Sequence, residues 1–172
     1  EYEKITGVKA PGFITGKPVG SGGSLGRTEA TGYGVIYCLR EALKELKIDV
    51  KSTTASFQGF GNVSQYAIDL YTQYGGKAIC VSCWNQKEQK SYTFKKASGI
   101  NLQELLSITN RFKEIDKEKA VEIGYEVLPG NAWIEQEVDI LVPAALENQI
   151  NADTAPLIKD TVKVICEGAN GP

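Results

Sequence analysis

Neither histidine nor methionine occurs among the 172 residues of the chain. Without histidine, Ser-His-Asp and Cys-His catalysis are excluded, and the commonest metal ligand is missing, so we expect no metal site. Any chemistry must use carboxylates, lysine, amides, backbone groups or a cofactor. A chain that opens Glu1-Tyr2-Glu3 without an initiator methionine is expected to be processed or to be a piece of a longer protein.

The sequence also lacks long apolar runs and an excess of positive charge. No run approaches the roughly 20 residues of a membrane span, and no signal peptide is visible, so we expect no membrane partner. Nineteen basic and 21 acidic residues give a net charge of −2, which argues against a nucleic-acid partner. With 42% hydrophobic and 23% charged residues, the composition is that of one globular domain.

Cysteine is infrequent, and its one suggestive pattern is the C-x-x-C spacing of Cys80 and Cys83. A zinc site would need a second pair or histidines, which the sequence does not offer. The pattern falls at the end of an apolar strand, where residues three apart face opposite sides. We therefore expect four reduced cysteines in a cytoplasmic protein.

Glycine is concentrated at one end, with nine of the 18 glycines inside residues 7–34. This composition predicts an extended, Gly-rich interdomain segment over residues 1–27 and a compact domain over 28–172.

Within residues 28–172, short apolar runs alternate with helical patterns. Val35, Ile36, Leu39, Leu43 and Leu46 recur at helical spacing after Thr28. Strands are predicted at 53–58, 77–83, 124–128, 138–142 and 162–166, with a short edge piece at 92–94; further helices are predicted at 62–74, 101–110, 111–122 and 153–159. This order predicts an α/β fold of the Rossmann type: a doubly wound, mostly parallel sheet with helices on both faces.

The sharpest motif is Gly59-Phe60-Gly61-Asn62-Val63-Ser64, between a predicted strand and a predicted helix. In that context Gly59 permits a tight turn, Gly61 lets a pyrophosphate approach the backbone, and the helix amides bind the anion. The third position is Ser64 rather than Gly or Ala. The alternative is a strand-to-helix turn that binds nothing.

The coenzyme, NAD or NADP, is normally distinguished at the end of the following strand, where this sequence has Cys83 and Trp84. No carboxylate occurs between Asp69 and Glu88, and no arginine is present there, so both coenzymes stay open. Trp84 is interpreted either as flanking the adenine or as a half-buried loop aromatic.

Three stretches together resemble one family. They are 15–18 (TGKP) with 22–32 (GGSLGRTEATG), 58–63 (QGFGNV), and 143–148 (PAALEN) with 167–172 (EGANGP). Their order and spacing resemble the cofactor-binding domain of glutamate dehydrogenases in the Glu/Leu/Phe/Val dehydrogenase superfamily. The resemblance covers nearly the whole chain.

The resemblance implies roles for particular residues. Thr31 would contact the nicotinamide amide, and Asn62 with its neighbours Gly59, Phe60, Gly61 and Val63 would hold the pyrophosphate. Cofactor-binding roles are also implied for Arg27 and Cys83, for Ala144, Ala145 and Asn148 at the nicotinamide ribose, and for Asn170 near the nicotinamide and substrate. For Asn148 and Asn170 the alternative is a pair of loop-capping amides.

The family's reaction is the reversible oxidative deamination of L-glutamate to 2-oxoglutarate and ammonium, with hydride transfer to NAD(P). Its catalytic Lys and Asp belong to a substrate domain absent from these residues, so no catalytic residue is expected in this chain. The resemblance implies a homohexameric parent, whereas this chain alone could be monomeric. Two alternatives remain: a stand-alone nucleotide sensor, and the same domain of another amino-acid dehydrogenase. An upstream domain in the parent gene would favour an enzyme, whereas a Met codon just before Glu1 would favour the sensor.

Overall fold

A computed structural model of the chain describes residues 1–171. Its α-helices are α1 (Tyr2–Thr6), α2 (Arg27–Glu45), α3 (Asn62–Gln73), α4 (Leu102–Ser107) and α5 (Lys117–Glu122). Its strands are β1 (Thr54–Gln58), β2 (Lys77–Asn85), β3 (Lys90–Lys95), β4 (Glu126–Pro129), β5 (Ile140–Pro143) and β6 (Val164–Ile165). Short 3-10 helices occupy Val19–Ser21, Val50–Ser52, Gly130–Trp133 and Ala155–Leu157.

The strands form one six-stranded sheet in the order β4-β3-β2-β1-β5-β6. β1 pairs in parallel with β2 on one side and with β5 on the other, and β6 continues in parallel beyond β5. The chain leaves β1 through α3 toward β2 and returns later to β5, so the sheet winds in both directions from β1. This arrangement confirms the mostly parallel sheet, and the gap beyond β1 and β5 is its topological switch point.

The two faces of the sheet are covered differently. α2 to α5 pack on one face, around a core that includes Phe57 of β1 and Tyr71 of α3. The other face carries a smaller apolar cluster around Trp133 and Leu141, covered by the 3-10 helices Gly130–Trp133 and Ala155–Leu157. Ser56, next to Phe57, donates a 2.7 Å hydrogen bond to the Trp133 carbonyl and thus ties the second layer to β1.

α2 and α3 cross closely because α2 has a glycine at the contact. A Cβ on Gly32 would lie 2.5 Å from the Val63 carbonyl oxygen and 2.7 Å from the Tyr66 Cβ. No larger residue fits there without moving α3. The crossing therefore brings the second turn of α2 beside the first two turns of α3.

Asp139 joins the amino-terminal ends of three strands. Its Oδ2 accepts hydrogen bonds from Thr54 N at 2.8 Å and Thr54 Oγ1 at 3.0 Å, and its Oδ1 lies 2.7 Å from Lys163 Nζ. Burial alone would raise the pKa of this carboxyl, but the hydrogen bonds from Lys163 and Thr54 outweigh burial and lower its pKa. The ionised carboxylate thus fixes β1 and β6 against β5.

The prediction that residues 92–94 form an edge strand is wrong. β3 lies inside the sheet, antiparallel to both β2 and β4, and the edge strand is β4. A β2–β3 hairpin extends the sheet here because Thr93 and Phe94 are buried, whereas β4 has no fully buried residue.

Three predicted helices are shorter than expected, and the one over 101–110 is the six-residue helix α4, Leu102–Ser107. The helix over 111–122 begins only at Lys117, because the Asn110 side chain accepts the amides of Phe112 and Glu114 and holds a turn. The helix over 153–159 is one 3-10 turn, Ala155–Leu157, after which Ile158 is extended.

Residues 1–26 contain α1 and one 3-10 turn and otherwise no helix or strand. No residue before Gly32 is buried, and Leu25 is 86% exposed. Over residues 1–171, no helix is long and apolar enough to cross a membrane. The same residues contain no cluster of His, Cys, Asp or Glu able to hold a metal ion.

Candidate functional site

A cavity of about 1070 Å³ opens at the switch point, beyond the carboxyl ends of β1, β2 and β5. This is where an open α/β sheet binds its ligand, and the volume is at the upper end of the range typical of small-molecule pockets. Nine of the predicted site residues line it: Gly59, Phe60, Gly61, Asn62, Val63, Cys83, Trp84, Ala144 and Ala145.

The turn that follows β1 contains two glycines, and the structure favours glycine at each position for a different reason. Gly59 has φ +86°, and a Cβ there would lie 2.6 Å from the Ala145 Cβ, so the turn presses against the loop after β5. Gly61 has an ordinary φ of −79°, and a Cβ there would meet nothing within 4 Å. Gly59 is therefore required by the fold, and Gly61 leaves open space above the backbone.

The amino terminus of α3 faces this open space. Among residues 1–171 no side chain caps it, and the first helical hydrogen bond is made by Gln65 N, to Gly61 O. The amides of Asn62, Val63 and Ser64 are thus the free donors of the first turn, at the positive end of the helix dipole. Such a terminus is a site for an anionic group.

The surroundings of Ser64 explain why a serine fits the third position of the glycine motif. Its side chain is fully buried, and its hydroxyl donates to the Gln58 carbonyl at 3.1 Å. The hydroxyl fastens α3 to the end of β1, where a glycine would only allow close approach.

Other side chains that hold the turn are not evident from the motif. Ser82 Oγ, at the end of β2, accepts the Gly59 amide at 2.9 Å. Gln65 Nε2 donates to the Phe60 carbonyl at 2.8 Å, and Lys113 Nζ donates to Gln65 Oε1 at 3.3 Å. No spacing rule marks these residues; a small hydroxyl at the end of the neighbouring strand is the only sequence signal.

Cys83 lies where a ribose-binding carboxylate would be expected, but only 5% of the residue is exposed. Sγ donates to the Lys113 carbonyl at 3.1 Å, and burial raises the pKa of the thiol to about 11. Cys80 packs in the opposite core cluster, and burial raises its pKa to about 12. The two cysteines of the C-x-x-C spacing thus lie in different core clusters, and both are free thiols in this structure.

The outer wall beyond Cys83 is built by Trp84 and by the turn 110–114. Trp84 is 49% exposed and its Nε1 donates to Gln86 Oε1, while Phe112 is 66% exposed. Glu114 accepts the Gln86 amide and the Asn110 side-chain amide. Within the described residues, Lys113 and Glu114 are the charged side chains of the cavity wall, and the sequence prediction missed both because it placed them in a solvated helix.

The other four predicted site residues lie outside the cavity wall: Arg27, Thr31, Asn148 and Asn170. Arg27 and Thr31 share the first turn of α2, with Arg27 Nη1 3.5 Å from Thr31 Oγ1. Asn148 has φ +58° and its carbonyl accepts the Asn151 side chain, as a turn residue does.

The loop that carries Asn170 returns to the switch point. A Cβ on Gly168 would lie 3.1–3.4 Å from side-chain atoms of Val35, Val63 and Ala144, so this loop is wedged between α2, α3 and β5. A Cβ on Gly171 would lie 3.6 Å from Glu147 Cβ, next to Asn148. The segment that carries Asn170 therefore lies against Val35 of α2, the start of α3 and the loop after β5.

The sheet order, the glycine turn and the uncapped α3 terminus at the switch point define a Rossmann-type α/β domain. Residues 22–172 match the model of the Glutamate/Leucine/Phenylalanine/Valine dehydrogenase family, and the chain belongs to that family.

Individual relatives agree with this membership. The chain is 40% identical, over its full length, to an NAD-specific glutamate dehydrogenase of Clostridioides difficile, of which it covers 39%. It is 41% identical over 99% of its length to a glutamate dehydrogenase of Thermotoga maritima, covering 38% of that protein. The crystal structure of Plasmodium falciparum glutamate dehydrogenase superimposes with a TM-score of 0.83 at 30% identity, over 98% of this chain and 36% of that one. The chain thus spans about two fifths of the length of its curated relatives.

Proposed function

We propose that this chain is the NAD(P)-binding domain of a glutamate dehydrogenase, which interconverts L-glutamate with 2-oxoglutarate and ammonium. The observation that carries the proposal is the glycine turn 59–61 at the switch point, with open space above Gly61 and free amides at the start of α3. Family membership supplies the reaction class.

The residues of the cavity fit a dinucleotide. Gly61 and the amides of Asn62 and Val63 would hold the pyrophosphate, because the backbone there is open and its donors are unused. A bound NAD(P) supplies the hydride acceptor of the reaction. The protein's own contribution is to orient it and to exclude water.

In this proposal the nicotinamide end of a bound dinucleotide would lie on the side of α2. Ala144 and Ala145 line the cavity beside the glycine turn and would contact the nicotinamide ribose together with Asn148. Thr31 would contact the nicotinamide amide, with Arg27 beside it, and Asn170 would lie near nicotinamide and substrate. The support for this direction is the wedged loop around Gly168, which brings the Asn170 segment against Val35 of α2 and Val63 at the start of α3.

The adenosine end would lie against Trp84 and the turn 110–114. Cys83 is neutral and buried, so the carboxylate nearest the end of β2 in the cavity wall is Glu114. A carboxylate there disfavours the 2′-phosphate of NADP, which is why the coenzyme of this proposal is NAD. The curated relative from Clostridioides difficile is also named as NAD-specific.

Catalytic groups of the parent enzyme belong to a substrate domain outside this chain. Residues 1–27 are then the interdomain segment, exposed and without buried residues, and residues 28–172 the dinucleotide-binding domain. In this proposal the parent is a homohexamer, and this chain alone is a monomer in the cytoplasm. Four free cysteines fit a reducing compartment.

Calorimetric titration of the 172-residue chain with NADH and NADPH tests the proposal. We expect saturable binding of NADH, weaker binding of NADPH, and no glutamate-dependent formation of NADH when the chain is mixed with glutamate and NAD. Absence of binding for both coenzymes would contradict the proposal. Steady turnover of glutamate would contradict the division between the two domains.

A further inference from the structure

Gln58, the last residue of β1, connects the two loops that meet at the switch point. Its Oε1 accepts the Ala145 amide at 3.2 Å, and its own carbonyl accepts the Ala144 amide at 3.1 Å and the Ser64 hydroxyl at 3.1 Å. Only 6% of the residue is exposed. The side chain therefore bridges the end of β1 and the loop after β5 across the cavity floor.

The orientation of the Gln58 amide follows from its partner. A backbone N–H can only donate, so the end of the amide that faces Ala145 must be the oxygen, and the other end is the NH2 group. Nε2 donates to no acceptor among residues 1–171. Within the same residues, every fully buried side-chain nitrogen or oxygen has a hydrogen-bond partner, so Nε2 is not one of the fully buried atoms. This NH2 group is therefore not sealed in the core. The exposed part of Gln58 opens on the cavity that it lines.

We infer that Gln58 is a positioning residue for the dinucleotide: Oε1 fixes the Ala145 loop while Nε2 donates to an oxygen of the ligand's pyrophosphate–ribose segment. The inference rests on the proposed function, and it adds a side-chain contact to the backbone contacts of the glycine turn. In the empty site the two N–H donors of this nearly buried amide have no acceptor in the protein. An oxygen of the bound ligand would accept a hydrogen bond from one of them, which favours binding.

Gln58→Glu separates the two roles of the side chain. A glutamate of the same shape keeps an oxygen for the Ala145 amide but turns the donor into a negative acceptor. At pH 8 we expect NADH affinity to fall on the order of tenfold or more, because a donor is lost and a charge faces the pyrophosphate. At pH 5.5 the affinity ratio of wild type to variant should shrink, because burial raises the carboxyl pKa and the protonated acid donates again.

A matched control introduces the same charge without removing a free donor. Gln149 also lines the cavity, but its Nε2 already donates to the Glu147 carbonyl at 3.1 Å. For Gln149→Glu we expect less than a threefold loss of NADH affinity at pH 8. Lys113 and Glu114, the charged groups of the wall, are common to all variants, so the ratio at each pH isolates the substituted residue.

Three measurements on the 172-residue chain decide the inference: NADH titrations at both pH values, and thermal unfolding of each variant. A large loss for Gln58→Glu at pH 8, recovery at pH 5.5 and an unfolding midpoint near that of wild type support it. An effect no larger than that of Gln149→Glu, or a loss that does not recover, overturns it. If wild type itself fails to bind NADH, the proposed function fails first.

Should Gln58→Glu not fold, Gln58→Met serves as the second variant, because it keeps the length of the side chain and carries no charge. A folded Met variant should bind NADH about fivefold more weakly, the value of one hydrogen bond. Wild-type affinity in this variant would overturn the inference.

Discussion

Gly59 and Gly61 are only two residues apart, yet alanine should act on them in opposite ways. At Gly59 the backbone has φ +86°, which costs an L-residue about 1–2 kcal/mol. The new Cβ would also lie 2.6 Å from the Ala145 Cβ, about 1 Å inside a normal carbon–carbon contact. Overpacking of this kind costs about 1–3 kcal/mol. Gly59→Ala should therefore lower the free energy of unfolding by roughly 2–5 kcal/mol.

At Gly61 the same substitution meets neither obstacle, since φ is −79° and the Cβ position is open. We expect Gly61→Ala to change the free energy of unfolding by less than about 1 kcal/mol. The new methyl group would instead stand where the pyrophosphate approaches the backbone. NADH affinity should fall at least tenfold while stability is kept.

Urea unfolding followed by circular dichroism measures the first effect, and calorimetric titration with NADH the second. The double substitution Gly59→Ala with Ala145→Gly removes the clashing methyl group but keeps the φ strain, so it should recover only the overpacking part. The reasoning is refuted if Gly59→Ala is as stable as wild type, or if Gly61→Ala binds NADH with unchanged affinity.

Three further predictions concern the supports of the sheet and the cavity wall. Asp139→Ala should cost about 2 kcal/mol at pH 7 by urea unfolding, since the Thr54 amide loses its acceptor. Because the folded pKa of Asp139 is lowered, its contribution is present above the ordinary pKa and is lost as pH falls through the folded value, so wild type and variant should converge in acid. Ser82→Ala leaves the Gly59 amide without its acceptor and should lower the free energy of unfolding by about 1–2 kcal/mol in the same assay. An unchanged urea midpoint would show that this hydrogen bond does not stabilise the turn. Glu114→Gln should raise NADPH affinity relative to NADH in paired titrations, and an unchanged ratio would exclude Glu114 from coenzyme choice.

Periodicity alone predicted the elements whose local and tertiary preferences agree. α2 buries four of the five apolar positions that its spacing marks, while Leu46 at its carboxyl end is 52% exposed. β1, α3 and β2 occur close to their predicted limits. Side-chain hydrogen bonds explain where prediction failed. Asn110 captures two amides of the segment after it and replaces a helix by a turn, an alternative that charge and spacing do not reveal.

The site was predictable where the glycine turn or the end of a neighbouring strand makes the cavity wall. Nine of thirteen predicted residues line the wall. Five belong to the glycine turn, and the other four, Cys83, Trp84, Ala144 and Ala145, lie near the carboxyl ends of β2 and β5, where an open α/β sheet places its site. Ser82, Gln65, Lys113 and Glu114 come from other elements, and their positions depend on how the sheet and the turn 110–114 pack. Tertiary contacts of this kind leave no trace in a single local pattern.

The composition of the cavity wall has a spectroscopic consequence. The chain has two tryptophans, Trp84 and Trp133, and both line this cavity, one half-exposed and the other 4% exposed. All tryptophan fluorescence of this chain therefore originates at the cavity, from one solvent-exposed and one buried indole. Ligand binding can be followed by this intrinsic fluorescence without a label. A ligand that contacts only Trp84 should quench the emission of the exposed indole, whereas one that reaches the interior should also quench that of Trp133.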